Sequence, residues 1–312
     1  MFPEVDNLPA LLTLHVRSAN LSGQLCILRD AGVKEIYISI DGPRDQKEKK
    51  MQERIYGVIE NYKKDFCKFE VRHLGTNQGI ALGITSAIDW FFTFNKYGMI
   101  FEDDIKFESQ TLAFFKEALF FIEDKPRVLL VSGFQPFDLN QSSSKILFTN
   151  YPQIWGWATS ASKWRQMRAF IFQLPRAEKQ IRRQVRNFWQ VGWKRAQVGY
   201  LDTWDLPIAT GMLFSNKLCL LPPVNLTSNI GADEFSTNTH SDAFPLGLKI
   251  QHIDSDIEFA DLPLDSEVKF LNTMFENEIY RISFRNNFSL MFSFLDKYRF
   301  SRKRTPYLRE RL

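Results

Sequence analysis

Glu102, Asp103 and Asp104 stand side by side, directly after the apolar run Gly98-Met99-Ile100-Phe101 and directly before Ile105. Three adjacent carboxylates repel one another and lose hydration when buried, unless protons or a cation relieve them. A hard divalent ion suits such a cluster, because it takes carboxylate oxygens and leaves coordination positions for phosphate oxygens. The apolar run reads as a buried strand. That places the acids at its C-terminal end, where open α/β sheets hold their ligands. A solvated acidic turn is the plainer reading of the tripeptide alone. Strand alternation predicts Glu102 and Asp104 on one side and Asp103 across.

The flanking segments supply a scaffold for that position. Leu11 to Val16 reads as a first strand, followed by a helix from Gly23 to Ala31. Lys34 to Ile40 is a β-branched second strand, stopped by Asp41-Gly42-Pro43. The charged stretch from Arg44 to Lys64 predicts an exposed helix, Phe69 to Leu74 a third strand, and the loop Gly75 to Gly79 a helix start. This alternation indicates a parallel, doubly wound α/β sheet whose ligand-facing ends carry Arg17, Asp41 and the acidic triplet. Further on, a helix is predicted over Thr111–Ile122, strands at Val128–Ser132 and Leu218–Leu221, and a helix opening at Tyr200–Asp205. Asn229 to His240 is polar and aperiodic and reads as a loop able to close over a ligand.

The bulk numbers fit one large domain or one domain plus an appendage: 312 residues, 44% hydrophobic and 14% aromatic. Residues 281–312 hold nine Lys/Arg against two acids, so the formal charge of +4 leaves the rest of the chain at −3. A near-neutral body argues against nucleic-acid binding, and a basic tail suits an anionic surface. No secretory signal or membrane-spanning run is evident, and Cys26, Cys67 and Cys219 offer no metal-ligand spacing. They read as buried free thiols. The stretch 176–196 interleaves Arg182, Arg183, Arg186, Lys194 and Arg195 with Trp189 and Trp193. It suits either an amphipathic helix with a solvated basic face or a platform for an anionic glycan.

Several pieces, taken in order, carry a resemblance. They are Val16-Arg17-Ser18, Ser39-Ile40-Asp41-Gly42-Pro43-Arg44, Phe101-Glu102-Asp103-Asp104, Trp155-Gly156-Trp157, Thr203-Trp204-Asp205, and Pro222-Pro223-Val224-Asn225 leading to Ser228-Asn229-Ile230-Gly231. Over roughly residues 10–240 the chain resembles the GT-A glycosyltransferases, in particular the group around N-acetylglucosaminyltransferase I and its bacterial relatives. The resemblance implies a GT-A domain over 1–262, with a nucleotide-sugar half at about 1–110, an acceptor half at 111–262 and a helical, aromatic, basic extension at 263–312. It implies inverting transfer from a UDP-sugar, with GlcNAc or a similar sugar the leading candidate, assisted by Mn²⁺ or Mg²⁺.

By that resemblance Arg17 and Asp41 contact the uridine and ribose, Glu102 and Asp103 lie near ribose and donor sugar, and Asp104 ligates the metal. Asp205 is the implied base that takes the acceptor hydroxyl's proton. Asp202 is its rival, since this chain reads Asp-Thr-Trp-Asp where eukaryotic relatives carry two adjacent acids after the Trp. Trp155, Gly156, Trp157 and Trp204 form a candidate sugar platform, with two core tryptophans around a tight turn as the alternative. Gly231 opens the loop, and His240 either completes the metal shell or is a surface histidine. The acceptor is expected to be a glycan or lipid-linked glycan of a bacterial surface polysaccharide. The enzyme is then expected to be cytoplasmic and peripheral to the membrane through its basic tail. Two other classes remain: a non-catalytic glycan- or nucleotide-binding descendant, and a sugar-nucleotide pyrophosphorylase. The latter would show a glycine-rich basic loop where this chain has Arg17-Ser18-Ala19-Asn20.

Overall fold

The computed structural model describes residues 7–137, 144–231, 248–253, 256–259 and 261–282. Its strands are β1 (Ala10–Leu14), β2 (Glu35–Ile40), β3 (Lys68–His73), β4 (Tyr97–Glu102) and β5 (Ile105–Phe107). They continue with β6 (Val128–Ser132), β7 (Leu147–Thr149), β8 (Trp157–Ser160), β9 (Leu218–Leu221) and β10 (Thr227–Asn229). Helices α1 (Leu21–Asp30), α2 (Gln46–Tyr62), α3 (Gly79–Phe91) and α4 (Ser109–Ile122) lie in the first half. Helices α5 (Ala161–Phe172), α6 (Arg183–Gln197), α7 (Asp205–Phe214) and α8 (Asp265–Met274) follow.

Eight strands form one mixed, mostly parallel sheet in the order β3-β2-β1-β4-β8-β6-β9-β7, and β5 pairs with β10 in a second small sheet. This is a Rossmann-like α/β architecture. The chain builds β2 and β3 to one side of β1 and then returns to place β4 on the other, parallel to it, with Leu12 opposite Phe101. The two directions of building part between β1 and β4. There the following loops diverge and leave a crevice.

The inner parallel strands β1, β2 and β4 are covered on both faces and read as mostly apolar runs, whereas the edge strand β3 is polar and partly exposed. In β1, Ala10, Leu12 and Leu14 enter the layer that holds Leu25 and Leu28 of α1. Leu11 enters the opposite layer with Ile88 and Phe91 of α3. Each such leucine contributes about 1.5–3 kcal/mol by burial. The small strands β5, β7, β8 and β10 went unpredicted. Strand β8 is the most consequential of them, because it runs antiparallel between β4 and β6, with Trp157 opposite Ile100 and Ser132.

Helix α8 lies along the β7 edge, where Asn272 Oδ1 accepts from Thr149 Oγ1 at 2.8 Å and from the Asn150 amide at 3.0 Å. Phe275 is fully buried beside Phe137 and Tyr151. The described part of the C-terminal helical extension is therefore seated on the sheet. Among the described residues, no helix is long and apolar enough to cross a membrane.

Candidate functional site

The acidic triplet straddles the end of β4: Glu102 closes the strand, and Asp103 and Asp104 form the turn into β5. The strand alternation expected across all three residues therefore stops at Glu102. Arg17, on the loop after β1, reaches both turn acids, with Nη1 3.3 Å from Asp103 Oδ1 and 3.5 Å from Asp104 Oδ2. Asp103 Oδ2 also accepts from the His15 amide at 3.3 Å.

Amides on α1 and the residue before it fix the backbone of the turn. Asn20 Nδ2 donates to the Ile105 carbonyl at 2.8 Å, and Gln24 Nε2 donates to the Glu102 and Ile105 carbonyls at 2.9 Å each. From the other side the Ile230 amide donates to the Asp104 carbonyl at 2.9 Å. Gly231 then runs so close that a Cβ there would lie 2.1 Å from Asp104 Oδ2. Only glycine leaves that carboxylate where it is.

Burial and mutual repulsion set the electrostatics. Desolvation, then Asp104, Asp103 and Asp205, push the Glu102 carboxyl well above the usual range, and Arg17 opposes them. Desolvation, then Asp104, push Asp103 from 3.8 to about 6, again against Arg17. The folded chain thus holds the Asp103 proton more tightly than the unfolded chain does. The resulting stability is complete below about pH 4 and is lost as pH rises through about 6, up to about 3 kcal/mol in all. Urea unfolding of the metal-free protein is expected to show this loss over that window. An Asp103→Asn variant is expected to show a shallower slope, the remainder coming from Glu102, and an identical slope in the variant would assign the loss to another group.

Asp41 anchors the neighbouring loops. Its carboxylate accepts from the Gly42 amide at 2.9 Å, the Gln78 amide at 2.9 Å and Asn77 Nδ2 at 3.0 Å. Burial raises its pKa, and those amide bonds oppose the rise. Gln52 Nε2 ties the His15 and Asp41 carbonyls together at 2.9 and 2.7 Å. Gly42 crosses Thr76 so closely that a Cβ would meet backbone at 2.1 Å.

The two candidate bases are held differently. Asp202 sits on the N-terminus of α3, accepting from the Ile80 amide at 2.9 Å and the Ala81 amide at 3.0 Å. Gly79, at φ +79°, leaves room for it. This is a helix-capping carboxylate delivered from 122 residues away. Asp202→Ala is expected to lower stability by about 1–2 kcal/mol, read as a lower urea midpoint. An unchanged midpoint would mean the cap contributes nothing. Asp205 is the first residue of α7, accepts from the Thr203 hydroxyl and lies within electrostatic reach of Glu102.

One crevice of about 500 Å³ collects these groups: Arg17, Asp41, Glu102, Asp103, Asp104, Trp155, Asp202, Trp204, Asp205 and Gly231 all line it. His15 and Asn77, which sequence reasoning missed, line it too. The tryptophans divide. Trp155 is half-buried against Phe134, with ring centroids 4.6 Å apart. Trp157 is 1% exposed, stacks on Trp204 at 5.9 Å and touches Trp164, so it belongs to the core rather than to a sugar-binding surface. Gly156 adopts φ +78° and abuts Thr227, Ile105 and Phe101, which makes it a packing glycine. Trp204 lines the crevice but is only 3% exposed, so it too is mainly a core residue.

His240, most of the loop beginning at Gly231, and the basic tail from 283 lie outside the described residues. Most of the stretch 176–196 belongs to the amphipathic helix α6, which buries Val185, Trp189 and Ala196 and exposes Arg183 and Lys194; Arg195 is buried and so is not part of a solvated basic face. The three cysteines are free, but Cys67 is exposed and Cys26 intermediate, so only Cys219 is a buried thiol.

The donor chemistry available for a metal is hard carboxylate oxygen. Among the described residues, no group of three or more His, Cys, Asp or Glu side chains is arranged to hold an ion by itself. Mg²⁺-type sites that act on phosphates use one or two carboxylates and take the remaining oxygens from substrate and water. The Asp103–Asp104 turn offers that number.

No family model matches the chain, and no curated protein matches it. Among solved structures it is similar to one described as the crystal structure of UDP-glucose pyrophosphorylase complexed with UDP-glucose. The identity is 9%, the TM-score 0.35, and the match covers 69% of this chain and 90% of that one. A likeness of that size assigns no function.

Proposed function

We propose that the crevice binds a nucleoside-diphosphate sugar together with a divalent cation, and that the protein transfers the sugar to an acceptor hydroxyl as a GT-A-type glycosyltransferase. One observation carries this reading. A buried acidic turn at the divergence of β1 and β4 shares its crevice with a separate carboxylate, Asp205, presented by α7. The lining holds six carboxylates, at Asp41, Glu102, Asp103, Asp104, Asp202 and Asp205, against His15, Arg17 and Arg44. A bare diphosphate would be repelled there, and one accompanied by a divalent ion would be attracted.

Asp104, with Asp103 beside it, is the residue to hold the ion, which when bound would neutralise charge growing on the departing diphosphate. Asp202 is committed to α3, which leaves Asp205 to accept the proton of the attacking hydroxyl. Trp155 offers the apolar ring face for a pyranose. Resemblance makes the donor a UDP-sugar, with GlcNAc or a related sugar first, and the acceptor a glycan or glycolipid.

A thermal-shift series with UDP and UDP-sugars, in Mn²⁺ and in chelator, tests the binding half. Saturation at about 100 Kd adds about 2.7 kcal/mol, so a rise of several degrees is expected only when nucleotide and metal are both present. No rise with any nucleotide would overturn the proposal. Product analysis then separates the chemistries. Transfer to a sugar hydroxyl is expected. UTP formed with pyrophosphate would make the protein a pyrophosphorylase, and binding with neither product would make it a nucleotide-sugar-binding module.

A further inference from the structure

The acidic turn already has a cation of its own. Arg17 Nη1 stands between Asp103 and Asp104, at 3.3 and 3.5 Å, and Nη2 donates to the Gly231 carbonyl at 3.5 Å. Three elements meet at this one guanidinium: the loop after β1, the turn after β4, and the residue that follows Ile230. The Arg17 side chain is 18% exposed and its partners 10% and 17%, so water screens the contact only in part.

We propose that Arg17 is a built-in counter-ion that keeps a divalent ion off Asp104 until a diphosphate arrives, so that metal and nucleotide bind as a pair. The inference rests on the metal–nucleotide reading above. An ion bonded to Asp104 Oδ2 would lie within a few ångströms of a guanidinium that cannot shed its proton. Arg17 must therefore leave before the ion settles. A diphosphate gives it somewhere to go, because phosphate oxygens accept a guanidinium in bidentate fashion. The same diphosphate supplies the oxygens that the turn lacks for the ion. Each ligand thereby removes the obstacle to the other, a coupling that is reciprocal by linkage.

The test is a titration of Mn²⁺ alone, nucleotide absent, followed by the electron paramagnetic resonance of the free ion at mildly alkaline pH. Wild type is compared with Arg17→Met, Arg17→Gln and Arg17→Lys, each shown to be folded by circular dichroism. Wild type and the lysine variant are expected to bind the ion weakly. The two neutral variants are expected to bind it about tenfold or more tightly. The factor by which Mn²⁺ improves UDP binding should shrink correspondingly in those variants. If one neutral variant does not fold, the other gives the reading. Mn²⁺ binding by a folded neutral variant no tighter than by wild type, with metal-dependent UDP binding intact, would overturn the counter-ion role alone. Tighter Mn²⁺ binding with no UDP binding in any form would leave that role standing and overturn the nucleotide reading.

Discussion

Replacing Asp104 by alanine is expected to abolish the metal-dependent part of nucleotide binding and leave the fold intact. Arg17 retains Asp103 at 3.3 Å, so its charge does not become an orphan. The loss also relieves the repulsion that Asp104 exerts on Glu102 and Asp103, so stability should hold or rise. Binding has no such compensation. Loss of a residue that merely supports a metal ligand costs about 10–100-fold in affinity, and loss of the ligand itself should cost at least about 100-fold. The measurement is calorimetric titration of UDP with Mn²⁺ and with chelator. In the variant both curves are expected to coincide at the weak, metal-free value. A retained Mn²⁺ effect would move the ligand role to Asp103 or Glu102.

Asp205→Asn should produce the opposite pattern. The amide keeps the side chain's size, and its oxygen still accepts from the Thr203 hydroxyl at the start of α7. It removes only the charge and the basicity. Metal-dependent UDP binding is expected to stay within about twofold of wild type, and turnover to fall by about 10²–10⁴, the ordinary contribution of a general base. Asp202→Asn serves as the comparison, because that carboxylate caps α3. Its replacement is expected to act through stability, with turnover of the folded fraction largely kept. Full activity in Asp205→Asn together with collapse in Asp202→Asn would exchange the two roles.

What the sequence discloses of this site depends on whether a residue's role is local. The parallel half could be read because strands buried on both faces are mostly apolar runs, and Ala10–Leu14, Glu35–Ile40 and Tyr97–Glu102 are such runs. The acidic turn could be read because three carboxylates after a buried strand have few structural explanations. Strand β8 could not, since the four residues Trp157-Ala158-Thr159-Ser160 carry no strand pattern of their own and become a strand only through their neighbours β4 and β6. That is why Trp157 suggests a sugar platform in sequence and is a core residue in the fold. The amides of Asn20, Gln24, Gln52 and Asn77 carry no periodicity, and each finds its role through partners at least 11 residues away. Asp202 is the extreme case, a cap whose helix begins 123 residues earlier in the chain. A pairwise list of acids near Trp204 cannot tell a cap from a base.

The reversed direction of β8 also shapes the crevice. The parallel strands β1, β2 and β4 deliver their C-terminal loops to the crevice, and the antiparallel β8 delivers the residues that come before it. Ile154 and Trp155 thus reach the same rim as Arg17 and Asp104 from a different stretch of chain. The crevice lining is in this way divided between two separate stretches of chain, the loops after the parallel strands and the residues just before β8. Under the proposed function, randomising Ile154 and Trp155 is then expected to redirect acceptor preference among folded variants while their UDP affinity stays constant.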